Sequence, residues 1–256
     1  MDFSEEEKQR YSRQILLEPV GLKGQKKISD ASVLVVGSGG LGSTVLMHLA
    51  AAGIGTIGIV DGDVVDVSNL QRQIIHFTED LDKPKIQSAR EKLTRLNLHV
   101  RVNTYHEFLH SENISARIKG YDFIIDGTDN FPSKFLINDT CIAMNKPFCH
   151  AGVLRFEGQM MTVVPGKSAC LRCVFPEPPP PDTVPSSSQV GILGTLAGLF
   201  GTLQVTEAIK YIIGQGDLLT NRLLICDLFQ MTFREVKIKK RLGCPACGSS
   251  PSGVIS

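Results

Sequence analysis

A glycine-rich segment between two apolar runs limits the folds open to this chain more than any other feature. It follows the apolar run Val33–Val36 directly and opens a helix-like stretch, Leu41–Ala52, before a second apolar run, Thr56–Val60. Its residues are Gly37, Ser38, Gly39, Gly40, Leu41 and Gly42. This order of strand, glycine turn, helix and strand predicts a βαβ unit, because two neighbouring parallel strands must be joined by a crossover connection.

The alternation of helix and strand continues toward the middle of the chain. Helices are predicted near Pro84–Leu96 and Ile114–Ile118, and strands near Val100–Tyr105 and Asp122–Ile125. The first half therefore predicts a doubly wound, mostly parallel α/β sheet.

The second half has a different pattern, because its strands follow one another without helices of comparable length. They are predicted at Phe148–Leu154, Gln159–Val164, Leu223–Leu228 and Met231–Ile238. An antiparallel extension of the same sheet is the simplest interpretation. Among them, the proline-rich segment Phe175–Asp182 predicts a stiff surface loop.

The composition excludes several classes of protein. A chain of 256 residues that is 42% hydrophobic is long enough to form one large core. Its net charge of +1 gives no excess of basic residues for binding nucleic acid or a membrane surface. The apolar stretch Val190–Leu203 is too short to cross a bilayer. The acidic start favours a cytoplasmic location, where the seven cysteines are core thiols or metal ligands.

The glycine-rich segment also predicts a phosphate site. Its glycines let the backbone approach an anion at a helix N-terminus, and Asp61, which ends the next predicted strand, is placed to accept hydrogen bonds from ribose hydroxyls. A tight turn without a ligand is the structural alternative. Taken alone, the motif favours NAD and a dehydrogenase.

Polar residues after the second strand favour a different nucleotide. The segment Val67–Gln73 follows Asp63 at the edge where doubly wound folds bind ligands, and its Arg72 is a candidate phosphate ligand. Lys83 and Lys85 lie at the start of a helix, where a positive charge is unfavourable because it opposes the helix dipole. Two lysines at this position therefore suggest that they bind an anion. The alternative is that the lysine side chains are simply exposed to solvent, which we favour for Lys83 and not for Lys85.

A second acidic segment follows a later strand. Asp126 and Asp129 come after Phe123–Ile125, so they reach the same carboxyl edge of the sheet. Asp129 is a candidate magnesium ligand, because a metal held together with phosphates needs only one or two protein carboxylates. Asp126 is either a catalytic residue or a turn cap.

Two C-x-x-C pairs, separated by residues 174–243, predict a structural zinc site with four thiolates and no open position for substrate. The ligands are Cys170, Cys173, Cys244 and Cys247. A redox dithiol is the alternative, although neither pair has the strand-to-helix setting of a thioredoxin motif. The other cysteines, Cys141, Cys149 and Cys226, lie in apolar surroundings and are predicted to be buried thiols.

Together these motifs resemble the ThiF/MoeB/HesA family of ubiquitin-activating-enzyme-like adenylyltransferases. The resemblance covers nearly the whole chain. It rests on Arg10–Ile15, Gly37–Gly42, Asp61–Asp63, Ser68–Gln73, Lys83–Lys85, Gly127–Asn130 and the two cysteine pairs. It implies a Rossmann-like fold and an enzyme that uses ATP and Mg²⁺ to adenylate the C-terminal glycine of a small ubiquitin-fold sulfur-carrier protein ending in Gly-Gly. Thiamine and molybdenum cofactor biosynthesis and related sulfur transfer use such enzymes.

The resemblance also implies roles for single residues. The glycine loop holds phosphate, Asp61 holds the ribose, and the triphosphate is held by Asn69, Arg72 and Lys85. Asp129 binds magnesium, and Arg13 reaches into the active site of a partner subunit, which implies a homodimer. The other implied cofactor contacts are Gly37, Gly39, Gly40, Gly42, Asp63, Ser68, Leu70, Gln71, Thr128 and Asn130.

On this resemblance, residues 1–256 form a single ThiF-type domain. Residues 1–28 are predicted to be a helical arm, since Ser4 and Glu7 make a capping box that opens an amphipathic helix through about Leu17. Residues 29–165 are the nucleotide-binding part. Residues 166–256 carry the cysteine pairs and a crossover loop.

One segment departs from the family pattern. Several members have a cysteine in the crossover loop, where this chain has Ser186–Ser188, with Ser187 at the corresponding position. A hydroxyl without a neighbouring base is a poor substitute for a thiolate, so we predict adenylation without a covalent thioester at this loop. The alternative functions are an NAD(P)-dependent oxidoreductase and a non-catalytic zinc-stapled nucleotide-binding module.

Overall fold

The computed structural model describes residues 3–180 and 183–248. Its strands are β1 (Ser32–Val36), β2 (Thr56–Val60), β3 (Arg101–Tyr105), β4 (Phe123–Asp126), β5 (Phe148–Leu154), β6 (Glu157–Val163), β7 (Arg222–Asp227) and β8 (Thr232–Lys237). Its α-helices are α1 (Glu5–Arg10), α2 (Ser12–Ile15), α3 (Gly21–Asp30), α4 (Gly40–Ala52), α5 (Lys85–Leu96), α6 (Ile114–Ile118), α7 (Phe131–Ala143), α8 (Leu171–Val174), α9 (Ser187–Val190) and α10 (Gly194–Ile213).

All eight of these strands form one sheet in the order β3-β2-β1-β4-β5-β6-β7-β8. The pairs among β1 to β5 are parallel, and β6, β7 and β8 continue the sheet antiparallel. The predicted fold class is therefore confirmed. One boundary was wrong, because β5 is still parallel to β4 and the antiparallel part begins one strand later.

Strand β1 lies between β2 and β4, so the chain winds outward from it in both directions. Loops that follow β1 and β4 separate at this point and leave a crevice at the carboxyl edge of the sheet. The glycine-rich segment follows β1, and residues 127–130 follow β4. The topology thus brings together two segments far apart in sequence.

Alternate residues of β1 enter two different cores. Val33 and Val35 pack on one face, with residues of α4 and α10, whereas Leu34 and Val36 pack on the other, with residues of α6 and α7. Fully burying an aliphatic side chain of this size contributes about 1.5–3 kcal/mol. Burial on both faces explains why the parallel strands read as continuous apolar runs.

The N-terminal arm differs from the prediction of one helix reaching Leu17. The capping box of Ser4 and Glu7 is present, but α1 ends at Arg10 and α2 begins at Ser12. Tyr11 between them is 3% exposed, and its hydroxyl accepts a hydrogen bond from Asn97 Nδ2 at 2.8 Å. Anchoring this ring in the core interrupts the helix.

Among the described residues, no helix is both long and apolar enough to cross a membrane. The proline-rich segment has neither helix nor strand from Phe175 to Pro180, and its last two residues, Pro181 and Asp182, lie outside the described residues.

Candidate active site

A cavity of about 680 Å³ lies over the carboxyl edge of the parallel strands. Most of the residues that were predicted to bind nucleotide or to take part in catalysis line this cavity. Those residues are Gly37, Gly39, Gly40, Asp61, Asp63, Arg72, Lys85, Thr128, Asp129 and Asn130.

Glycine is required in the loop after β1 for two different reasons: the backbone geometry of the turn, and space beside the cavity. Gly37 has φ of +92°, and a Cβ on Gly42 would overlap the carbonyl oxygen of Gly37. These two positions serve the tight strand-to-helix turn. Gly39 also lines the cavity but has no such conflict, because the atom nearest to an added Cβ would be Gln73 Nε2, at 3.6 Å. The protein leaves room at Gly39 for the close approach of a ligand.

Asp61 is held in place by the backbone around it. Its Oδ2 accepts hydrogen bonds from the amide and hydroxyl of Ser38, both at 2.8 Å, and its Oδ1 accepts one from the amide of Asp63 at 2.9 Å. These contacts fix the carboxylate against the glycine loop.

The two lysines near the start of α5 have separate surroundings. Lys85 is 6% exposed, lines the cavity and forms an ion pair with Asp63 at 2.8 Å. Lys83 pairs with Asp80 at 3.2 Å and Glu91 at 2.9 Å and does not line the cavity. The helix begins at Lys85, with Pro84 as its cap instead of its first residue.

Only the last two residues of the segment Val67–Gln73 reach the cavity. Arg72 lines it and donates from Nη1 to the Ser68 carbonyl oxygen at 2.9 Å. Ser68, Asn69, Leu70 and Gln71 do not line it. Ser68 and Asn69 instead lie in a short 3₁₀ turn capped by Asp66, whose carboxylate accepts from the Ser68 amide at 2.8 Å. Gln73, for which the sequence predicted no role, is buried and lines the cavity.

Asp126 and Asp129 follow β4 but differ in their environment. Asp126 accepts hydrogen bonds from the Thr128 amide at 3.0 Å and the Thr128 hydroxyl at 2.6 Å, which confirms the turn-cap interpretation. Asp129 is exposed and has no hydrogen bond or ion pair with another described residue. Asn130 caps α7 by accepting from the Ser133 amide at 2.9 Å.

A buried ionic cluster under the cavity was not predicted. Lys134 donates to Asp126 Oδ2 at 3.1 Å, to the Thr128 carbonyl at 2.7 Å and to the Ala151 carbonyl at 2.6 Å. His150 Nδ1 lies 2.8 Å from Asp126 Oδ2. Burial alone would raise the pKa of Asp126, but the Lys134 charge and the His150 hydrogen bond hold it well below its usual range. Burial lowers the pKa of His150 below its usual value, although the hydrogen bond to Asp126 acts in the opposite direction.

The four predicted zinc ligands lie together, with all their sulfur atoms within 4.8 Å of one another. Cys170 and Cys244 Sγ are 3.6 Å apart, and Cys173 and Cys247 Sγ are 3.4 Å apart. Zinc–sulfur bonds of about 2.3 Å in a tetrahedron require sulfurs about 3.8 Å apart, so the donor set fits zinc. Burial opposes ionisation of Cys244, but nearby backbone amides outweigh it and lower its pKa to about 7.

Three cysteines lie outside this cluster, and Arg13 lies outside the cavity. Cys141, Cys149 and Cys226 are buried as predicted, and burial raises the pKa of each thiol. Arg13 is exposed on α2 and does not line the cavity of its own chain. Ser186 and Ser187 do line it, at the start of α9.

The fold and site define a doubly wound α/β protein with a glycine-loop cavity and a four-cysteine cluster. More narrowly, the chain belongs to the ThiF family, whose sequence profile matches residues 11–246.

Two relatives and one solved structure illustrate this membership. The chain is 41% identical over 257 residues to the sulfur carrier protein adenylyltransferase of Thermus thermophilus, covering 98% of this chain and 95% of that protein. It is 44% identical over 247 residues to the probable adenylyltransferase/sulfurtransferase MoeZ of Mycobacterium tuberculosis, covering 95% of this chain but only 63% of MoeZ. A crystal structure of E. coli MccB with ATP superposes with a TM-score of 0.83 at 22% identity, covering 94% of this chain and 75% of that one.

Proposed function

We propose that this protein is an ATP-dependent adenylyltransferase that activates the C-terminal glycine of a small ubiquitin-fold sulfur-carrier protein. The observation that carries the proposal is the convergence of the glycine loop, Arg72, Lys85 and Asp129 on one cavity. The names of the relatives support it, since both contain adenylyltransferase and the Thermus name specifies a sulfur carrier protein. The MccB structure supports the nucleotide, because a protein of the same fold is seen with ATP.

The charges in the cavity suit attack of a carboxylate on the α-phosphorus of ATP. Two anions must come together, and little covalent assistance is available, so positioned cations supply most of the stabilisation. Arg72 and Lys85 are those cations. Asp61 accepts from the ribose, and Gly39 lets the loop amides approach phosphate. Asp129 is the carboxylate that would hold Mg²⁺, which neutralises triphosphate charge when bound.

The products are a carrier acyl-adenylate and pyrophosphate. The direct test is carrier-dependent exchange of labelled pyrophosphate into ATP. We expect exchange with a sulfur carrier ending in Gly-Gly and none with the same carrier lacking its last glycine. Failure to exchange with any such carrier would refute the proposal.

The exchange assay and a thermal melt together separate the alternative functions. A zinc-stapled module without catalysis would bind ATP but exchange no pyrophosphate. A nicotinamide-dependent oxidoreductase would be stabilised in a thermal melt by NAD(P), whereas we expect stabilisation by ATP.

We further propose that the enzyme is a homodimer with shared sites, because Arg13 is exposed and lies away from its own cavity. Arg13→Ala and Asp129→Ala subunits, each inactive alone, are expected to regain part of the activity when mixed. Two different affinity tags, one on each variant, allow heterodimers to be purified from the mixture in two successive steps. Proven heterodimers without activity would exclude the shared site.

A further inference from the structure

A buried chain of hydrogen bonds connects helix α5 to the glycine loop. Its central residue is His76, which is 3% exposed and does not line the cavity. His76 Nε2 lies 3.1 Å from the Ser38 carbonyl oxygen, and Nδ1 lies 2.8 Å from Ser88 Oγ. Lys92 donates to the same Oγ at 3.0 Å and forms an ion pair with Asp80. The chain thus runs from a charged pair at one end to the backbone of the loop at the other.

The hydrogen bonds of this chain all have the same direction. Burial lowers the pKa of His76 from 6.5 to about 4, so at pH 7 the ring is neutral and carries one N–H. A carbonyl oxygen can only accept, so the proton lies on Nε2 and is donated to Ser38. Nδ1 is then the acceptor, and the Ser88 hydroxyl donates to it. The donor to the loop carbonyl is therefore fixed by the serine on the other side of the ring.

The His76 hydrogen bond sets the orientation of the peptide group between Ser38 and Gly39. The amide and hydroxyl of Ser38 donate to Asp61, both at 2.8 Å, so His76 completes the hydrogen bonding of a fully buried residue. A second donor to the same carbonyl, Ser43 Oγ, lies farther away at 3.4 Å. The peptide is trans, so its carbonyl and its N–H point in opposite directions. With the carbonyl turned toward His76, the N–H of Gly39 is turned away from it.

The amide of Gly39 is available to a ligand. Gly39 lines the cavity, and its N–H has no hydrogen-bond partner in the described part of the chain. The residue directly precedes α4, and no side chain caps the start of that helix. Amides at a helix start bind anions such as phosphate when they point at the ligand. The orientation of this one amide depends on the bond from His76.

We propose that His76 is a positioning residue for nucleotide binding: it holds the Ser38 carbonyl and thereby directs the Gly39 amide toward a phosphate group of ATP. The inference rests on the ATP binding of the proposed function and adds a residue that does not itself touch the nucleotide. The effect should be confined to the phosphates. Asp61, the predicted ribose ligand, keeps its bonds from the Ser38 amide and hydroxyl and from the Asp63 amide.

His76→Asn and His76→Gln form a matched pair of polar variants. The glutamine side chain is long enough to keep a donor near the Ser38 carbonyl, whereas asparagine reaches only as far as Nδ1. We expect the Kd for ATP to rise about tenfold in His76→Asn, the effect of losing one hydrogen bond to a charged group, and to stay within about threefold of the wild type in His76→Gln. Calorimetric titration with ATP and with adenosine is the measurement. The Kd for adenosine should be the same in both variants and the wild type.

The control is His48→Asn, which makes the same substitution on α4 at an exposed histidine. His48 has no hydrogen bond or ion pair with another described residue. Its variant should bind ATP and adenosine as the wild type does.

A second measurement needs no variant. In wild-type protein labelled with nitrogen-15 at histidine, the nitrogen spectrum distinguishes the two neutral tautomers of His76. We expect the Nε2–H tautomer at pH 7. The Nδ1–H tautomer would overturn the proposal, because Nε2 could not then donate to Ser38.

An unchanged Kd for ATP in His76→Asn would also overturn the proposal. So would equal losses of ATP and adenosine binding, or a loss in His76→Gln as large as that in His76→Asn. If His76→Asn does not fold, the tautomer of the wild type decides. A wild type that binds ATP but shows no carrier-dependent exchange would refute the proposed adenylation and leave the role of His76 intact, whereas a wild type that binds no ATP would refute both.

Discussion

Asp126 and Asp129 lie three residues apart and have opposite surroundings. Asp126 is completely buried and is paired with Lys134 and His150, so it belongs to the structure that supports the loop. Asp129 faces the cavity with no partner among the described residues. A carboxylate that the protein leaves unpaired is available to a ligand.

Replacing Asp129 by asparagine should therefore abolish adenylation and leave the fold intact. Loss of the charge removes the proposed magnesium ligand, and no hydrogen bond or ion pair with the described residues is broken. Pyrophosphate exchange and the melting temperature are the two measurements. Asp126→Asn is the comparison, because neutralising a buried paired carboxylate should lower stability by about 3–5 kcal/mol. Full activity of Asp129→Asn would remove this residue from the mechanism.

His76 makes stability depend on pH. Its Nε2 lies 3.1 Å from the Ser38 carbonyl and its Nδ1 lies 2.8 Å from Ser88 Oγ. Burial lowers the pKa of His76 from 6.5 to about 4. Between these values the unfolded chain binds a proton that the folded protein does not, so the free energy of unfolding falls as the pH drops from 6.5 to 4.

The full contribution of His76 is up to about 3 kcal/mol. Urea unfolding at pH 7 and pH 5 should show about 2 kcal/mol of it, and His76→Gln should show a smaller difference between the two. Equal differences in the variant and the wild type would show that other groups cause the pH dependence.

The sequence predicts Asp61 and Asp129 as neighbours because each follows a parallel strand. Arg72 was predicted from the polar segment after the second strand, and Lys85 from two cations at the start of a helix. His150 and Gln73 also line the cavity, but His150 belongs to no motif and Gln73, which ends the Ser68–Gln73 motif, was given no role of its own. Their role depends on tertiary partners, such as Asp126 for His150, that local sequence does not reveal.

At the scale of elements, the turn from β1 into α4 depends on Gly42. An alanine there would overlap the Gly37 carbonyl oxygen, so Gly42→Ala should lower stability by about 2–3 kcal/mol and weaken ATP binding. Gly198→Ala on α10 is the control, since its Cβ would lie 3.6 Å from Thr44 Oγ1 and fit. Denaturant unfolding compares the two variants. Equal stability would show that the turn adjusts without cost.

The prediction of elements failed at two places for different reasons. Helix α7 was missed because it mixes polar and apolar residues without a clear amphipathic face, and without it β5 was taken for an antiparallel strand. The arm helix was predicted too long because burial of Tyr11, a tertiary effect, interrupts it. Continuous apolar runs and the glycine turn were enough for the parallel strands, since burial on both faces leaves a local signature.

At the scale of the whole molecule, the cysteine cluster connects the C-terminal segment to the cavity wall. Arg172, between two of the cysteines, donates to both carboxylate oxygens of Asp139 on α7, at 2.7 and 2.8 Å. Leu171 in the same turn donates its amide to Asn138 at 2.9 Å. Helix α7 begins next to Asp129, so the cluster supports one side of the site.

Removing zinc from the cysteine cluster should therefore destabilise the cavity wall as well as the C-terminal segment. We expect about one zinc per chain, and chelation should lower the melting temperature and weaken ATP binding together. Elemental analysis and calorimetry measure these effects. Cys244→Ser is expected to lose the zinc, whereas Cys141→Ala, a buried cysteine outside the cluster, should keep it. A stable, metal-free wild type would exclude a structural zinc.

The serines at the cavity mouth affect how the protein responds to alkylating and oxidising agents. None of the seven cysteines lines the cavity, and every one is either buried or part of the cluster. Iodoacetamide or peroxide at low dose would find no thiol in the cavity wall. Inactivation by such agents would proceed through loss of the metal, slowly and with unfolding, and ATP would protect only as far as it stabilises the fold.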